Sequence, residues 1–230
     1  MKHNRPVVPY IPVHVTQRGN RQEKIFKDDA DKEFYINNFI HYKAKYKVKM
    51  HAWCLMDNHV HFVLEPKNKT GLSKLFGSLN TKYVKYFNKK YSTNGRLFGN
   101  RFYSCLLDED HFYEAIRYVE LNPYRANMET TIGTYRWSSI QEHLGKRNTY
   151  FLSKPPRYFQ VTNWLDYITE SLPETVKDEY KRCAAHLEEF WQMIKKCTFA
   201  RKAAGANDFI NKMSKRVGRD LSLKRRLVPS

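Results

Sequence analysis

The sequence predicts an α+β fold: a ferredoxin-like antiparallel sheet with helices packed on it, followed by a mainly helical, basic C-terminal extension. Strand and helix patterns follow one another in the order β-α-β-β-α-β-α, which describes two split β-α-β units. A turn dipeptide at Asp57-Asn58 joins the two central strands as a hairpin. The pattern becomes helical after Pro155-Pro156. We therefore divide the chain into a domain of residues 1–148 and an extension of residues 149–230.

Alternation and helical spacing predict the first four elements. Tyr10–Thr16 alternates and is rich in β-branched residues, which predicts a strand. Apolar residues then recur at helical spacing from Asp28 to Tyr46, behind aspartates that are suited to cap a helix. Val48–Met56 and His59–Glu65 have the composition of two further strands, and the turn between them predicts that they pair.

The next three elements complete the predicted domain. Thr70–Tyr91 has the pattern of a basic amphipathic helix, and Phe102–Leu107 predicts the fourth strand. Another helix begins at Glu109 and should end at Val119 or slightly beyond, because proline disfavours α geometry in the residue before it, here Asn122. In the extension, helical patterns cover Trp164–Ser171, Glu174–Lys196 and Asp208–Val217.

The charge of the chain favours a polyanionic partner. Of its 230 residues, 41 are Lys or Arg and 23 are Asp or Glu, which gives a formal net charge of +18. Nucleic acid is the polyanion that a soluble protein most often meets, and we favour it over an acidic membrane surface. Residues 195–230 carry eleven Lys and Arg against two acidic residues. We expect them to add sequence-independent affinity for phosphates, with a flexible solvated end as the alternative.

Composition and the lack of sorting signals predict a soluble intracellular protein. Hydrophobic residues make up 41% of the chain, enough for a packed core, which excludes wholesale disorder. The four cysteines form no C-x-x-C pair, so we expect reduced thiols rather than disulfides or a thiolate zinc site. The first residues lack an apolar signal segment, and no apolar run is long enough to span a membrane. We expect the protein in the cytoplasm, associated with the nucleoid.

The strongest chemical signal is His59-Val60-His61. On a strand, residues i and i+2 point to one face, with Cα atoms roughly 6–7 Å apart. Two imidazoles at that spacing can hold one divalent metal while Val60 points into the core. Paired histidines are more often ordinary surface or partly buried residues. The apolar residues that follow, Phe62 to Leu64, indicate a central strand and favour the metal site here.

Tyr118 and Asn122 form a second signal at the end of a predicted helix. Four residues apart, they lie on one helical face, so a metal held by Asn122 would lie close to the Tyr118 hydroxyl. With a pKa of about 10, a tyrosine is a poor nucleophile unless a base, a metal or the substrate assists it. In a chain with 16 tyrosines, packing is the simpler interpretation of Tyr118 taken alone.

Five segments of the chain together resemble a known family, the single-tyrosine HUH transposases. The resemblance is to the branch that includes the REP-associated tyrosine transposases, and it covers roughly residues 7–145 in the same order and spacing. The segments are HVTQRGNRQEKIF (His14–Phe26), HAWCLMDNHVHFVLEP (His51–Pro66), KYVKYFNKKY (Lys82–Tyr91), GRLFGNRFYS (Gly95–Ser104) and RYVELNPYRANM (Arg117–Met128). This family has a ferredoxin-like fold, in agreement with the predicted element order.

The resemblance implies an active site. His59 and His61 would be metal ligands, Asn122 the third ligand and Tyr118 the nucleophile. Mg²⁺ or Mn²⁺ is favoured by the resemblance, whereas the nitrogen and oxygen ligands alone equally admit Mn²⁺, Co²⁺ or Zn²⁺. The chain departs from the family at Asp57, where relatives often carry proline. A carboxylate near the metal would shift its affinity.

The resemblance also implies an activity: a metal-assisted DNA transposase and nuclease. It would cleave and rejoin single-stranded DNA at hairpin-bearing ends through a 5′-phosphotyrosine link, and relatives act as homodimers or as monomers. No ATP is needed, in agreement with the lack of a G-x-x-x-x-G-K-[ST] motif. Two alternatives stay open: a domesticated protein that binds hairpin DNA without cleavage, and a replication or relaxation nickase with the same site. The N-terminal and RYVELNP segments favour the transposase.

Basic side chains in three segments are candidate DNA contacts. Single strands are bound by basic grooves with aromatic stacking platforms, and Lys82–Tyr91 interleaves both residue types. The alternative is an ordinary amphipathic helix with its aromatics in the core. In the family, the loops after the first strand and before the fourth lie near the DNA. The candidates are Arg18, Asn20, Arg21, Lys82, Lys85, Lys89, Arg96 and Arg101.

Overall fold

The predicted α+β architecture is confirmed by a computed structural model, which describes residues 5–148, 151–157, 161–169 and 191–223. Its five-stranded sheet has the order β2-β3-β1-β4-β5, and its first four strands are antiparallel neighbours. These four are β1 (Val13–Arg18), β2 (Val48–Met56), β3 (His59–Pro66) and β4 (Tyr103–Leu107). The predicted hairpin joins β2 to β3, with Met56 opposite His59 across the two-residue turn. No helix of the described residues is long and apolar enough to cross a membrane.

The helices of the domain follow the predicted pattern, and two of them begin at capping aspartates. The Asp28 carboxylate accepts a hydrogen bond from the Asp31 N–H, and the Asp108 carboxylate accepts one from the His111 N–H. A side chain that accepts from the first turn satisfies an N–H group that has no partner within the helix. The helices of the domain are α1 (Asp29–Lys45), α2 (Gly71–Tyr91), α3 (Glu109–Arg125) and α4 (Ile140–His143), and α5 (Trp164–Thr169) follows in the extension.

The predicted break of the third helix at Asn122-Pro123 is wrong, because α3 continues to Arg125. A proline removes one backbone hydrogen bond and crowds the preceding turn. Here it lies in the last turn of the helix, where the Ala126 N–H still bonds to the Asn122 carbonyl at 2.9 Å. The turn is buried, and packing overrides the local preference. One continuous helix therefore carries Tyr118 and Asn122.

The two faces of the sheet carry different helices. α1 and α2 cover one face, where the Phe39 ring stacks on Phe62 of β3 with centroids 4.2 Å apart. α3 crosses the opposite face and contacts β2 and β3. Because side chains alternate along β3, Val60 and Phe62 point toward α1 and α2. His59 and His61 point toward α3, the face on which the candidate site lies.

The described part of the C-terminal region returns to this sheet. Ala203–Ala204 forms β5, which pairs in parallel with β4. Residues 191–200 are helical, here α6, and Asn207–Val217 forms α7. Trp191, Ile194 and Cys197 of α6 are buried in the same core as the sheet. Most of the helix predicted over Glu174–Lys196, and the last residues of the one predicted over Trp164–Ser171, lie outside the described residues. The division at residue 148 stays a prediction.

A buried carboxylate connects α3 to the chain that follows it. Glu120, 2% exposed, accepts hydrogen bonds from Ser139, from His143 Nδ1 at 2.6 Å and from Trp164 Nε1 at 2.9 Å. This arrangement attaches Ser139 and α5 to the same point of α3.

Replacing Glu120 with alanine should lower the free energy of unfolding by about 3 kcal/mol, because two buried donors, Ser139 and Trp164, and the partly buried His143 lose their acceptor. Urea denaturation would measure the change. Glu33→Ala, the same substitution at an exposed position of α1, is the control and should be nearly neutral. Equal stabilities of the two variants would contradict a stabilising role for this network.

Candidate active site

The four residues predicted to carry the chemistry line one cavity of about 260 Å³, here the histidine cavity. It lies between the sheet, α3 and α6. His59 and His61 come from β3, and Tyr118 and Asn122 come from α3. The exposed side chains of Arg18 and Lys195 also line the cavity, and α6 contributes Thr198 and Phe199. The structure therefore brings together residues from both ends of the chain.

The pairing of β1 with β3 sets the floor of the cavity. Arg18 lies opposite His59 and Thr16 lies opposite His61, and residues opposite each other in an antiparallel pair point to the same face. The ring centroids of His59 and His61 are 4.8 Å apart. The alternation of the strand thus correctly predicted that the two imidazoles lie together on one face of the sheet.

α3 places Tyr118 and Asn122 beside these two histidines. The Tyr118 ring is 7% exposed, and its centroid lies 5.3 Å from that of His61. Asn122 Nδ2 donates a hydrogen bond to the Tyr118 carbonyl at 2.7 Å. That bond leaves Oδ1 as the amide atom suited to bind a cation.

The hydrogen bonds of the three candidate ligands fit a divalent metal. His59 Nδ1 bonds to Asn58 Oδ1 at 2.6 Å, and His61 Nδ1 bonds to His14 Nε2 at 3.0 Å. Both rings therefore keep Nε2 for another partner, as Asn122 keeps Oδ1. Two imidazole nitrogens and one amide oxygen suit a divalent metal with positions left for substrate. Among the described residues, no group of three His, Cys, Asp or Glu side chains is arranged to hold a metal. The candidate site has two histidines, and its third donor is the amide of Asn122.

Burial keeps these histidines in the neutral form that binds metals. Burial, and to a smaller extent the charges of Arg18 and Lys195, lower the pKa of His59 to about 4. The pKa of His61 is held well below its usual value by burial and then by the neighbouring His59 and His14. A neutral imidazole has a lone pair for a cation. The cationic Arg18 and Lys195 beside the pair favour an anionic group such as a phosphate.

Several residues of the cavity were not identified from the sequence. His14 is buried and contacts the ring of Tyr118 edge-on, with centroids 5.6 Å apart. His14, Thr16 and Arg18 alternate along β1 and therefore point to the same face of the sheet. This alternation could have identified His14 from the sequence. The Arg125 guanidinium lies 5.5 Å from the centre of the Tyr118 ring and 4.3 Å from that of Trp191. No local pattern indicates that Trp191, Lys195 and Thr198 of α6 reach this place.

The predicted DNA contacts fall into two regions. Arg18 belongs to the histidine cavity. Lys85, Arg96 and Arg101 line a larger, open groove of about 680 Å³ between α2 and the loop before β4, here the arginine groove. Gln17 also lines it, and since its neighbours Thr16 and Arg18 face the histidine cavity, the groove lies on the other face of the sheet.

The remaining predicted contacts surround the arginine groove. Asn20 and Arg21 lie in a short 3₁₀ turn, Asn20–Gln22, and the Asn20 N–H bonds to the Leu97 carbonyl of the groove loop at 2.8 Å. Lys82 and Lys89 are exposed on α2. Tyr83 and Phe87 are core residues, so for these two rings the ordinary amphipathic helix is correct and the stacking platform is wrong.

Asp57 does not contribute to the histidine cavity among the residues that the structure describes. Its carboxylate binds Lys24 and Lys32, each at 3.0 Å. Burial acts to raise the pKa of Asp57, but the hydrogen bonds from the two lysines outweigh it and hold that pKa below its usual value. Asp57 thus has a structural role at the hairpin turn.

Comparison with known proteins identifies the class of this chain. Residues 7–122 match the family described as Transposase IS200 like, which is half of the chain. The chain belongs to this family of transposases. No curated protein matches the sequence.

Two solved structures are similar in fold. One is the structure of a REP-associated tyrosine transposase bound to a REP hairpin, with TM-score 0.55, 10% sequence identity, and coverage of 68% of this chain and 99% of that one. It supports the fold alone. The other, of a protein from Deinococcus radiodurans R1, has TM-score 0.37, 15% identity, and coverage of 56% of this chain and 94% of that one. That similarity is too low to bear on the fold.

Proposed function

We propose that the protein cleaves and rejoins single-stranded DNA at hairpin-bearing ends, with Tyr118 as nucleophile and His59, His61 and Asn122 as ligands of Mg²⁺ or Mn²⁺. One observation carries the proposal. In a chain of the IS200-like transposase family, Tyr118 lines the same cavity as His59, His61 and Asn122. Within the part of the chain that the structure describes, Nε2 of each histidine and Oδ1 of Asn122 make no hydrogen bond that would compete with a metal.

The proposed reaction is a transesterification at one phosphodiester. The Tyr118 oxygen attacks the phosphorus, the bond from phosphorus to the 3′ oxygen breaks, and the products are a 5′-phosphotyrosine link and a free 3′-OH. The phenol proton passes to solvent, and the leaving 3′ oxygen gains a proton. Attack of a 3′-OH on the phosphotyrosine reverses the step and rejoins the strand. Since one phosphodiester replaces another, no nucleotide triphosphate is consumed.

Five side chains at or beside the cavity have a role in this reaction besides the nucleophile and the metal ligands. Arg18 and Lys195 hold the phosphate beside the two histidines by charge. Arg125, over the Tyr118 ring, favours the negative charge that develops on the phenol oxygen. A metal held by His59, His61 and Asn122 would supply Lewis-acid polarisation of the phosphate. Trp191 and His14 both contact the Tyr118 ring and hold it in place.

The proposed partner is single-stranded DNA that carries a hairpin. The structural relative was solved with a REP hairpin, and the net charge of +18 favours nucleic acid. We place this activity in the cytoplasm at the nucleoid, with the protein acting as a monomer or a homodimer. The arginine groove and the surrounding basic residues would bind the DNA backbone outside the cleavage site.

Loss of charge in the arginine groove should reduce the salt dependence of DNA binding. In the triple variant Lys85→Ala, Arg96→Ala, Arg101→Ala, the slope of log K against log salt should fall by about 2, since each single-strand phosphate contact contributes about 0.7. Fluorescence anisotropy across a salt series measures the slope. The control variant Lys146→Ala, Lys154→Ala, Arg157→Ala removes the same charge from exposed positions outside the groove. Equal slopes for both variants would contradict the groove as a DNA site.

End-labelled DNA tests the polarity of the proposed cleavage. Hairpin-bearing single strands from the flanks of the gene are incubated with protein and Mn²⁺ and separated on a denaturing gel. A 3′-end label should move with the protein, whereas a 5′-end label should appear in a free fragment that terminal transferase can extend. Chelator should abolish both products. Tight hairpin binding without either product would support the domesticated, non-cutting protein and overturn the proposal.

A further inference from the structure

A buried chain of hydrogen bonds connects α6 to the candidate metal ligand on β3. Thr198 Oγ1 lies 2.8 Å from His14 Nδ1, and His14 Nε2 lies 3.0 Å from His61 Nδ1. The three residues are 0%, 1% and 5% exposed, respectively. The rings of His14 and His61 are nearly parallel, with centroids 5.2 Å apart. This burial shields the chain of hydrogen bonds from solvent.

The threonine hydroxyl determines the direction of the chain. Thr198 Oγ1 donates its single proton to the Ile194 carbonyl, one turn earlier in α6, at 2.7 Å. Toward His14 it can then only accept, so His14 Nδ1 carries a proton. In a neutral His14 ring that is protonated on Nδ1, Nε2 has the lone pair and accepts from His61 Nδ1. His61 is left with a proton on Nδ1 and a lone pair on Nε2.

The position of Thr198 is itself fixed. Trp191 and Cys197 of α6 are buried, and the chain leaves α6 directly into β5 at the edge of the sheet. The Thr198 hydroxyl also lies 3.2 Å from Cys105 Sγ of β4. These contacts hold Thr198 so that its hydroxyl oxygen faces His14 in a single position.

We propose that Thr198 and His14 are positioning residues that hold His61 in the tautomer whose Nε2 can bind the metal. The inference rests on the proposed function, since His61 is a ligand only there. It assigns a role to the C-terminal region, because Thr198 lies far outside the segment that matches the transposase family. In metal sites, residues that bond to the second nitrogen of a histidine ligand fix its orientation, and their loss lowers metal affinity about 10–100-fold.

The tautomer can be measured in the metal-free protein. Long-range ¹H–¹⁵N correlation spectra of labelled protein assign the protonated nitrogen of each histidine. Wild type should show the Nδ1–H form at both His14 and His61. Thr198→Val, which keeps the shape but cannot accept a hydrogen bond, should convert part of His61 to the Nε2–H form. Thr198→Ser should keep the wild-type pattern. An Nε2–H form of His61 in wild type would overturn the inference.

Calorimetry with Mn²⁺ provides the second readout. Thr198→Val should bind Mn²⁺ about 10–100-fold more weakly than wild type, and Thr198→Ser should bind it normally. Thr169→Val is the matched control, because Thr169 makes the same bond to the carbonyl four residues earlier, Leu165, at 2.7 Å, away from the cavity. His14→Phe keeps a ring of similar shape and should weaken Mn²⁺ binding as Thr198→Val does, which keeps the test valid if the threonine variant unfolds.

The outcomes separate this inference from the proposed function. If wild type binds Mn²⁺ no better than His59→Ala with His61→Ala, the metal site itself is wrong. If wild type binds Mn²⁺ at these ligands and both Thr198→Val and His14→Phe bind it equally well, the proposed function stands and the positioning role is refuted.

Discussion

Tyr118→Phe is expected to abolish DNA cleavage while leaving hairpin affinity unchanged. The substitution removes only the hydroxyl, so the ring keeps its contacts with His14, His61 and Trp191. Loss of a catalytic nucleophile in other enzymes lowers the rate on the order of 10⁶-fold. Cleavage of a labelled hairpin strand and anisotropy with the same strand measure the two properties.

Tyr124→Phe is the matched control for this prediction. It makes the same change on the same helix, outside the residues that line the histidine cavity. This variant should cleave at the wild-type rate. Wild-type cleavage by Tyr118→Phe would mean that the nucleophile is another residue.

The second large effect is expected from His59→Ala combined with His61→Ala. This variant removes both imidazole nitrogens that face the cavity, so Mn²⁺ affinity should fall at least about 100-fold, more than the loss of a supporting residue causes. Cleavage should disappear with it. Calorimetry and the cleavage assay measure both, and circular dichroism checks that the fold persists.

His41→Ala is the control for the histidine variant, because His41 is exposed on α1 and lies outside the cavity. It should bind Mn²⁺ as wild type does. Unchanged Mn²⁺ affinity in the double variant would show that the metal ligands lie elsewhere, whatever its cleavage activity.

Much of the fold and half of the cavity follow from short-range patterns. The alternation of β3 predicts that His59 and His61 share a face, and the turn at Asp57-Asn58 predicts the hairpin that places β3 beside β2. Helical spacing predicts that Tyr118 and Asn122 lie together. The predicted helix end failed because the burial of the turn at Pro123 outweighs the local preference of proline.

The missing half of the cavity depends on contacts that no local pattern encodes. The bond between His14 and Thr198 joins residues 184 positions apart. β5 has two residues, too few to produce an alternation that a sequence pattern could reveal. The basic composition of the C-terminal region predicted phosphate binding, but the side chains that reach the histidine cavity are set by how α6 packs against β4 and α3. That packing is visible only in three dimensions.

Peptide mapping of the protein–DNA adduct tests the central claim most directly. Wild-type protein is trapped on a hairpin strand with Mn²⁺, the DNA is trimmed by nuclease, and the tryptic peptides are fragmented in a mass spectrometer. Cleavage after Arg117 and Arg125 yields the peptide YVELNPYR, which holds both Tyr118 and Tyr124. The account predicts a nucleotide phosphate on Tyr118. A phosphate on Tyr124 or on any other residue would contradict it, as would cleaved DNA without any adduct.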